Sequence, residues 1–144
     1  MRVLLGYITD LLDSYSPMGR GMLTGQIKSF DDIPEKDFRR MLPRFQPENF
    51  ENNMKLVREL EKIAQKKRCT PAQLALGWVR GLSKREGMPE IIPIPGTTTV
   101  EHVLENSVEV ELTQGEMDEI DLVLANCEVI GDRYPSYGMK YVNG

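Results

Sequence analysis

The segment from Thr70 to Val79 constrains the fold most, because it predicts a helix that is apolar over most of its circumference. Thr70 fits the N-cap, Pro71 the first helical position and Gln73 the third, and together they form a capping box. The apolar positions of this helix are Ala72, Leu74, Ala75, Leu76, Trp78 and Val79. Other elements must cover a helix of this kind.

Upstream of this helix the spacing of apolar residues is less regular. Apolar side chains at three- and four-residue spacing predict a long helix over residues 48–67. Residues 3–15 contain strand-like pieces, and residues 22–47 are typical of a loop. Within that loop, Pro34 precedes a predicted short helix over residues 35–41.

Downstream, the apolar run over residues 91–95 predicts a strand, followed by a turn at residues 96–99 and a helix over residues 100–106. A second capping box, from Thr113 to Glu116, predicts a helix that continues to Ala125. Residues 131–144 contain three Tyr and one Pro and predict a loop. This order of elements indicates an α/β fold with parallel strands.

Composition narrows the class of protein. Hydrophobic residues make up 40% and charged residues 28% of the chain, which is typical of a soluble globular protein. A formal charge of -4 argues against a nucleic-acid partner. Asp10 and Asp13 interrupt the apolar N-terminal run, so it makes a poor signal peptide, and no stretch is long enough to span a membrane. With one His and no CxxC motif, we expect no metal site. Because no targeting signal is evident, we expect a cytoplasmic protein.

Three blocks of sequence together resemble the aldo-keto reductase superfamily. They are YSPMGRGMLTG at residues 15–25, TPAQLALGWV at residues 70–79, and IPIPGT at residues 92–97 continued by LEN at residues 104–106. The resemblance runs from about Tyr15 to Ala125 and leaves residues 126–144 as a C-terminal tail. Residues 37–40 and 43–45 (DFRR and PRF) are similar to the plant and fungal branch of auxin-induced-type and potassium-channel-like reductases.

The resemblance implies a fold and an activity. The family folds as a (β/α)8 TIM barrel, and the blocks resemble its strands 7 and 8 with the helices that follow them. Such a barrel needs about 250 residues, so we expect residues 1–144 to form a partial domain. The implied activity is NADP(H)-dependent reduction of aldehydes or ketones, with a small-molecule carbonyl compound as substrate.

The resemblance also implies what this chain lacks. The family's Asp-Tyr-Lys-His tetrad lies on earlier strands of the barrel, so we assign no catalytic residue and expect this chain alone to be inactive. Unpaired strand edges should make it aggregation-prone or only partly folded. Asp10, Asp13 and Ser14 stand where relatives carry an apolar strand, which fits either a truncated gene model or a short gene product.

By resemblance, twelve residues contact the cofactor. Tyr15 would stack on the nicotinamide ring, five residues would follow the pyrophosphate, three would surround the 2′-phosphate, and two would contact the adenine. His102 stands where relatives often carry an Arg, and His grips a phosphate less well than Arg does. The residues are Tyr15 for the nicotinamide; Ser16, Pro17, Met18, Gly19 and Arg20 for the pyrophosphate; Gly96, Thr97 and Thr98 for the 2′-phosphate; Glu105 and Asn106 for the adenine; and His102 at the position of the Arg.

Two alternatives stay open beside the oxidoreductase hypothesis. The chain could be a non-catalytic module that binds a nucleotide or a partner supplying further strands. It could also be a plain helical interaction domain, in which case the spacing of the three blocks has no explanation.

Overall fold

A two-stranded parallel sheet carries the turns that form the candidate site. The structure is a computed structural model that describes residues 11–142. Strand β1, Leu11–Tyr15, pairs in parallel with strand β2, Glu90–Ile94, and Tyr15 lies opposite Ile94. The α/β class and the parallel strands are therefore confirmed. The strand-like pieces predicted over residues 3–10 and the end of the predicted tail, residues 143–144, lie outside the described residues.

The strand that ends at Tyr15 forms despite the polar residues Asp13 and Ser14 inside it. Because side chains alternate across a strand, Asp13 lies on the same face as Leu11 and Tyr15, and this face also carries Ile92 and Ile94 of β2. The two isoleucines are 40% and 50% exposed. The aggregation prediction concerned strand edges, and in this two-stranded sheet each strand has one edge that pairs with no other described strand.

Four of the predicted helices form close to their expected bounds. They are α1, Pro47–Lys67; α2, Pro71–Leu82; α3, Val100–Ser107; and α4, Gln114–Asn126. Both predicted capping boxes are present, since Thr70 accepts from the amide of Gln73 and Thr113 from the amide of Glu116. The tail, predicted as a loop, contains one helical turn, α5, Ser136–Met139.

The short helix predicted over residues 35–41 begins later than expected. A 3-10 turn covers only Phe38–Met41, because Asp37 is extended and its carboxylate caps the turn by accepting from the amide of Arg39 at 2.8 Å. The start signal is therefore Asp37 and not Pro34. The rest of the predicted loop contains further 3-10 turns at Gly19–Thr24, Phe30–Asp32 and Pro43–Phe45.

The apolar helix α2 is covered as the sequence requires. Leu74 and Leu76 are fully buried, Leu74 among side chains of α1 and α4 and Leu76 beside Met18 and Ala72. Ser83, just after α2, accepts a hydrogen bond from the amide of Ile91 in β2 at 2.8 Å. These contacts fix α2 against the sheet and place its N-terminal half beneath the turn that follows β1.

Candidate functional site

The turns that follow β1 and β2 face each other across one cleft. The carboxyl ends of parallel strands meet at the same edge of a sheet, so both turns emerge on the same side. The cleft has a volume of about 570 Å³, within the range of about 300–1,000 Å³ typical of ligand sites. Ten of the twelve predicted site residues line it: Ser16, Pro17, Met18, Arg20, Gly96, Thr97, Thr98, His102, Glu105 and Asn106.

The turn after β1 is tight and left-handed. Ser16, Gly19, Arg20 and Gly21 have φ angles of 51°, 58°, 58° and 89°. Glycine adopts such angles without cost, whereas Ser16 and Arg20 are non-glycine residues held in a sparsely populated region. Backbone hydrogen bonds from Gly19 to Ser16 at 2.9 Å and from Gly21 to Met18 at 3.1 Å close the turn. The buried Met18 side chain then anchors it on α2.

The turn after β2 leads into the N-terminus of α3. Thr99 is the N-cap of this helix, and its hydroxyl accepts from the amide of His102 at 3.3 Å. Across residues 11–142, the amides of Thr97 and Thr98 donate no hydrogen bond. Free amides beside a helix N-terminus favour an anion, so this turn fits a phosphate group.

The three site residues on α3 are held in place by their neighbours. The Nδ1 atom of His102 lies 3.2 Å from a carboxylate oxygen of Glu105. The backbone carbonyl of Glu105 accepts from Gln73 of α2 at 3.3 Å, and that of Asn106 accepts from Arg80 at 3.4 Å. Asn106 is 8% exposed. The helix α3 is thereby tied to α2, which also supports the opposite turn.

Tyr15 and Gly19 do not line this cleft. They line a neighbouring cavity of about 130 Å³. The hydroxyl of Tyr15 lies 3.0 Å from the hydroxyl of Tyr134 in the tail, and the guanidinium of Arg133 lies over the Tyr15 ring, 5.3 Å from its centroid. The hydrogen bond with Tyr15 raises the pKa of Tyr134, and desolvation acts in the same direction. Tyr15 as a whole remains 42% exposed.

Sequence reasoning missed several residues that line the cleft. The most informative is Arg39, whose guanidinium is paired with the carboxylate of Asp37 at 2.8 Å and donates to the carbonyl of Arg20 at 3.2 Å. Arg39 thus braces the left-handed turn from outside. It lies in the DFRR segment, so the resemblance pointed to it without indicating this contact. The other lining residues that were missed are Gly21, Thr24, Gln26, Ile27, Ala72 and Pro95.

Within residues 11–142, no group of three or more His, Cys, Asp or Glu side chains is arranged to hold a metal ion. In the same range, no helix combines the length and the apolar character needed to cross a membrane.

Comparison with known proteins gives consistent matches. The profile of the aldo/keto reductase family matches residues 11–125. An aldo-keto reductase of Schizosaccharomyces pombe, named with NADP(+), is 48% identical over 123 residues, which is 84% of this chain and 35% of that protein. An aldo-keto reductase of Strobilurus tenacellus is 37% identical over 132 residues, 90% of this chain and 38% of that protein. A Saccharomyces cerevisiae protein provisionally named pyridoxal reductase is 45% identical over 132 residues, 83% of this chain and 37% of that protein. The chain thus spans little more than a third of the length of these relatives.

Proposed function

Because this chain belongs to the aldo/keto reductase family, we propose that it carries the NADP(H) site of an oxidoreductase that reduces aldehydes or ketones to alcohols. In this proposal β1 and β2 are strands 7 and 8 of a (β/α)8 barrel, and the catalytic tetrad lies on other strands of that barrel. The substrate is a small carbonyl compound, and the location is cytoplasmic.

One observation carries the proposal. The two turns that the family resemblance assigns to a dinucleotide lie at the same edge of a parallel sheet and line one cleft. Barrels of this class commonly bind phosphate with the loops after strands 7 and 8, at a helix N-terminus. The free amides of Thr97 and Thr98 and the N-terminus of α3 have that chemistry.

The two turns, helix α3 and Tyr15 take separate roles, with Gly19 and Tyr15 contributing from the neighbouring cavity. Ser16, Pro17, Met18, Gly19 and Arg20 follow the pyrophosphate, and Gly96, Thr97 and Thr98 surround the 2′-phosphate. Glu105 and Asn106 contact the adenine from α3. The exposed ring of Tyr15 orients the nicotinamide by stacking. When bound, NADPH supplies the hydride for carbonyl reduction.

The test places a negative charge at the phosphate site. Gly96→Asp is expected to weaken NADPH binding about tenfold or more, because the new carboxylate faces the cofactor phosphates. A Cβ added at Gly96 meets no atom within 4 Å, so the fold should tolerate the change. Isothermal titration calorimetry measures the dissociation constant.

Gly115→Asp is the matched control for that test. It adds the same charge at a glycine in α4 whose added Cβ is equally free of contacts, and it lies outside the cleft. Unchanged NADPH binding is expected there. Absence of saturable binding to the parent chain at millimolar NADPH, or equal losses in both variants, would contradict the proposal.

Because His102 stands where relatives often carry an Arg, we expect a weakened preference for NADPH over NADH. Replacing it with Arg supplies a permanent charge and a bidentate donor, so His102→Arg is expected to raise NADPH affinity by about three- to tenfold with little effect on NADH. The ratio of the two dissociation constants measures this change. Asn126→Arg, which adds a charge on the exposed end of α4, should leave the ratio unchanged. An equal gain in affinity for NADPH and NADH would contradict this prediction, because it would indicate a nonspecific effect of the added charge.

The unpaired strand edges favour a second candidate, a module that pairs with a partner supplying further strands. In the described part of the chain the sheet has two strands, so each has one edge without a neighbouring strand. Light scattering on the purified chain distinguishes the two: a discrete oligomer that does not bind NADPH would favour the module, with a second copy of the chain as the partner, whereas a monomer that binds NADPH would favour the oxidoreductase.

A further inference from the structure

Tyr134, in the C-terminal tail, contacts two of the residues that the proposed function gives to the cofactor. Its hydroxyl lies 3.0 Å from the hydroxyl of Tyr15, and the guanidinium of Arg20 lies over its ring, 4.7 Å from the centroid. The ring also packs, half-buried, against the core cluster that contains Phe45 and Phe50. Because Tyr15 ends β1 and Arg20 lies in the next turn, Tyr134 joins the strand end to that turn.

The tail supplies the contacts that restrain Tyr15. This residue is 42% exposed, and its hydroxyl and one face of its ring are both met by residues of the tail. The guanidinium of Arg133 lies over that face, 5.3 Å from the ring centroid, within the roughly 6 Å at which a cation attracts an aromatic ring. An exposed side chain without such contacts would lose rotamer freedom only when a ligand binds it.

The tail is fixed to the body of the protein just before it reaches Tyr15. The buried side chain of Asn53 donates to the carbonyl of Ile130 at 2.9 Å and accepts from its amide at 2.8 Å. Gly131 follows with a φ angle of 92°, and a Cβ at this position would lie 2.9 Å from the carbonyl carbon of Pro43. Only glycine combines this angle with so close an approach of two backbones. The place of the tail is therefore set by specific contacts.

We propose that Tyr134 is a positioning residue that fixes the ring of Tyr15 for stacking on the nicotinamide. Arg133 covers one face of that ring, so the nicotinamide stacks on the other. Restraining the ring before the cofactor arrives lowers the entropic cost of binding the nicotinamide half. The adenine half, assigned to α3, is unaffected. This role rests on the proposed NADP(H) function and adds to it a residue of the tail.

Two ligands separate the nicotinamide contribution from the rest of the cofactor. 2′-Phospho-ADP-ribose has the adenine, the 2′-phosphate and the pyrophosphate of NADPH but lacks the nicotinamide. Tyr134→Phe keeps the ring beneath Arg20 and removes the hydroxyl, so NADPH affinity should fall about threefold or more while affinity for 2′-phospho-ADP-ribose stays unchanged. Isothermal titration calorimetry measures both dissociation constants. Tyr137→Phe removes the same group from a 65% exposed tyrosine of the tail and should change neither.

Gly131→Ala displaces the tail without altering Tyr134. The added Cβ meets the backbone of Pro43, and the φ angle of 92° disfavours alanine, so the segment must move. The same selective loss of NADPH affinity is expected. Gly87→Ala is the matched control, because Gly87 also has a positive φ angle, 76°, whereas a Cβ added there meets no atom within 4 Å. It should keep the affinity for both ligands.

Nuclear Overhauser effects between the rings of Tyr15 and the bound nicotinamide report the stacking directly. They should be present in the parent chain and weaker in Tyr134→Phe. Unchanged NADPH affinity in Tyr134→Phe, or equal losses of affinity for the two ligands, would overturn the role of Tyr134 and leave the NADP(H) site standing. A parent chain that binds neither ligand would contradict the proposed function, and this role with it.

Discussion

Leu76→Ala is expected to lower the free energy of unfolding by about 2–5 kcal/mol, the range for truncating a buried leucine. The side chain of Leu76 is 0% exposed and packs with Met18 and Ala72. Because Met18 belongs to the turn after β1, the cavity left by the substitution also removes support from the cleft. Urea unfolding followed by far-ultraviolet circular dichroism measures the loss, and NADPH affinity should fall with it.

Leu122→Ala is the control for this prediction. The substitution is chemically the same, but Leu122 lies on α4 with 64% of its surface exposed. Exposed positions of this kind usually change stability by less than about 0.5 kcal/mol. Similar losses of unfolding free energy in Leu76→Ala and Leu122→Ala would contradict the burial of α2 in the core of the fold.

Asn53→Leu is expected to cost about 2–4 kcal/mol, because it removes three hydrogen bonds and leaves their backbone partners unsatisfied. Asn53 is 1% exposed and donates to the carbonyls of Arg44 and Ile130, both at 2.9 Å, while accepting from the amide of Ile130. Leucine has nearly the same shape as asparagine, so the loss reports on hydrogen bonding. The tail should then separate from Tyr15.

Hydrogen exchange shows whether the tail is released. Amides of residues 128–134 should exchange faster in Asn53→Leu, whereas those of α2 should change little beyond the global loss of stability. Asn52→Leu, at a half-buried neighbouring position, removes one hydrogen bond to the tail and one exposed hydrogen bond from Lys55, and it should have a clearly smaller effect. Equal protection of the tail in Asn53→Leu and the parent chain would contradict the role given to Asn53.

The parts of the fold that follow from local chemistry could be predicted from the sequence. The capping boxes at Thr70 and Thr113 need only residues three positions apart, and both form. The short helix after Pro34 was placed too early, because the extended conformation of Asp37 depends on its own contact with Arg39.

Long-range contacts could not be predicted in this way. Asn53 looks like an ordinary polar residue in an amphipathic helix, and its partner Ile130 is 77 residues away. Tyr15 and Tyr134 are 119 residues apart, so no spacing rule connects them. Burial of Asn53 and the closing of the tail on Tyr15 depend on how α1 packs, which the periodicity of the helix does not specify.

The candidate site could be predicted from the sequence only in part. Family resemblance selected the residues of both turns, and the parallel pairing of β1 with β2 is the physical reason that they meet. Tyr15 lines the neighbouring cavity, and its hydroxyl contacts the tail. Arg39 supports the first turn through the carbonyl of Arg20, a backbone contact that side-chain patterns do not reveal.

An amide-resolved NMR titration with NADPH examines the two turns simultaneously. We expect saturable shifts of the Met18 and Arg20 amides in the first turn and of the Thr97 and Thr98 amides in the second, all with one dissociation constant. The resonances of amides in the middle of α4 should not shift. Shifts confined to one turn, or shifts elsewhere with both turns silent, would contradict a shared dinucleotide cleft.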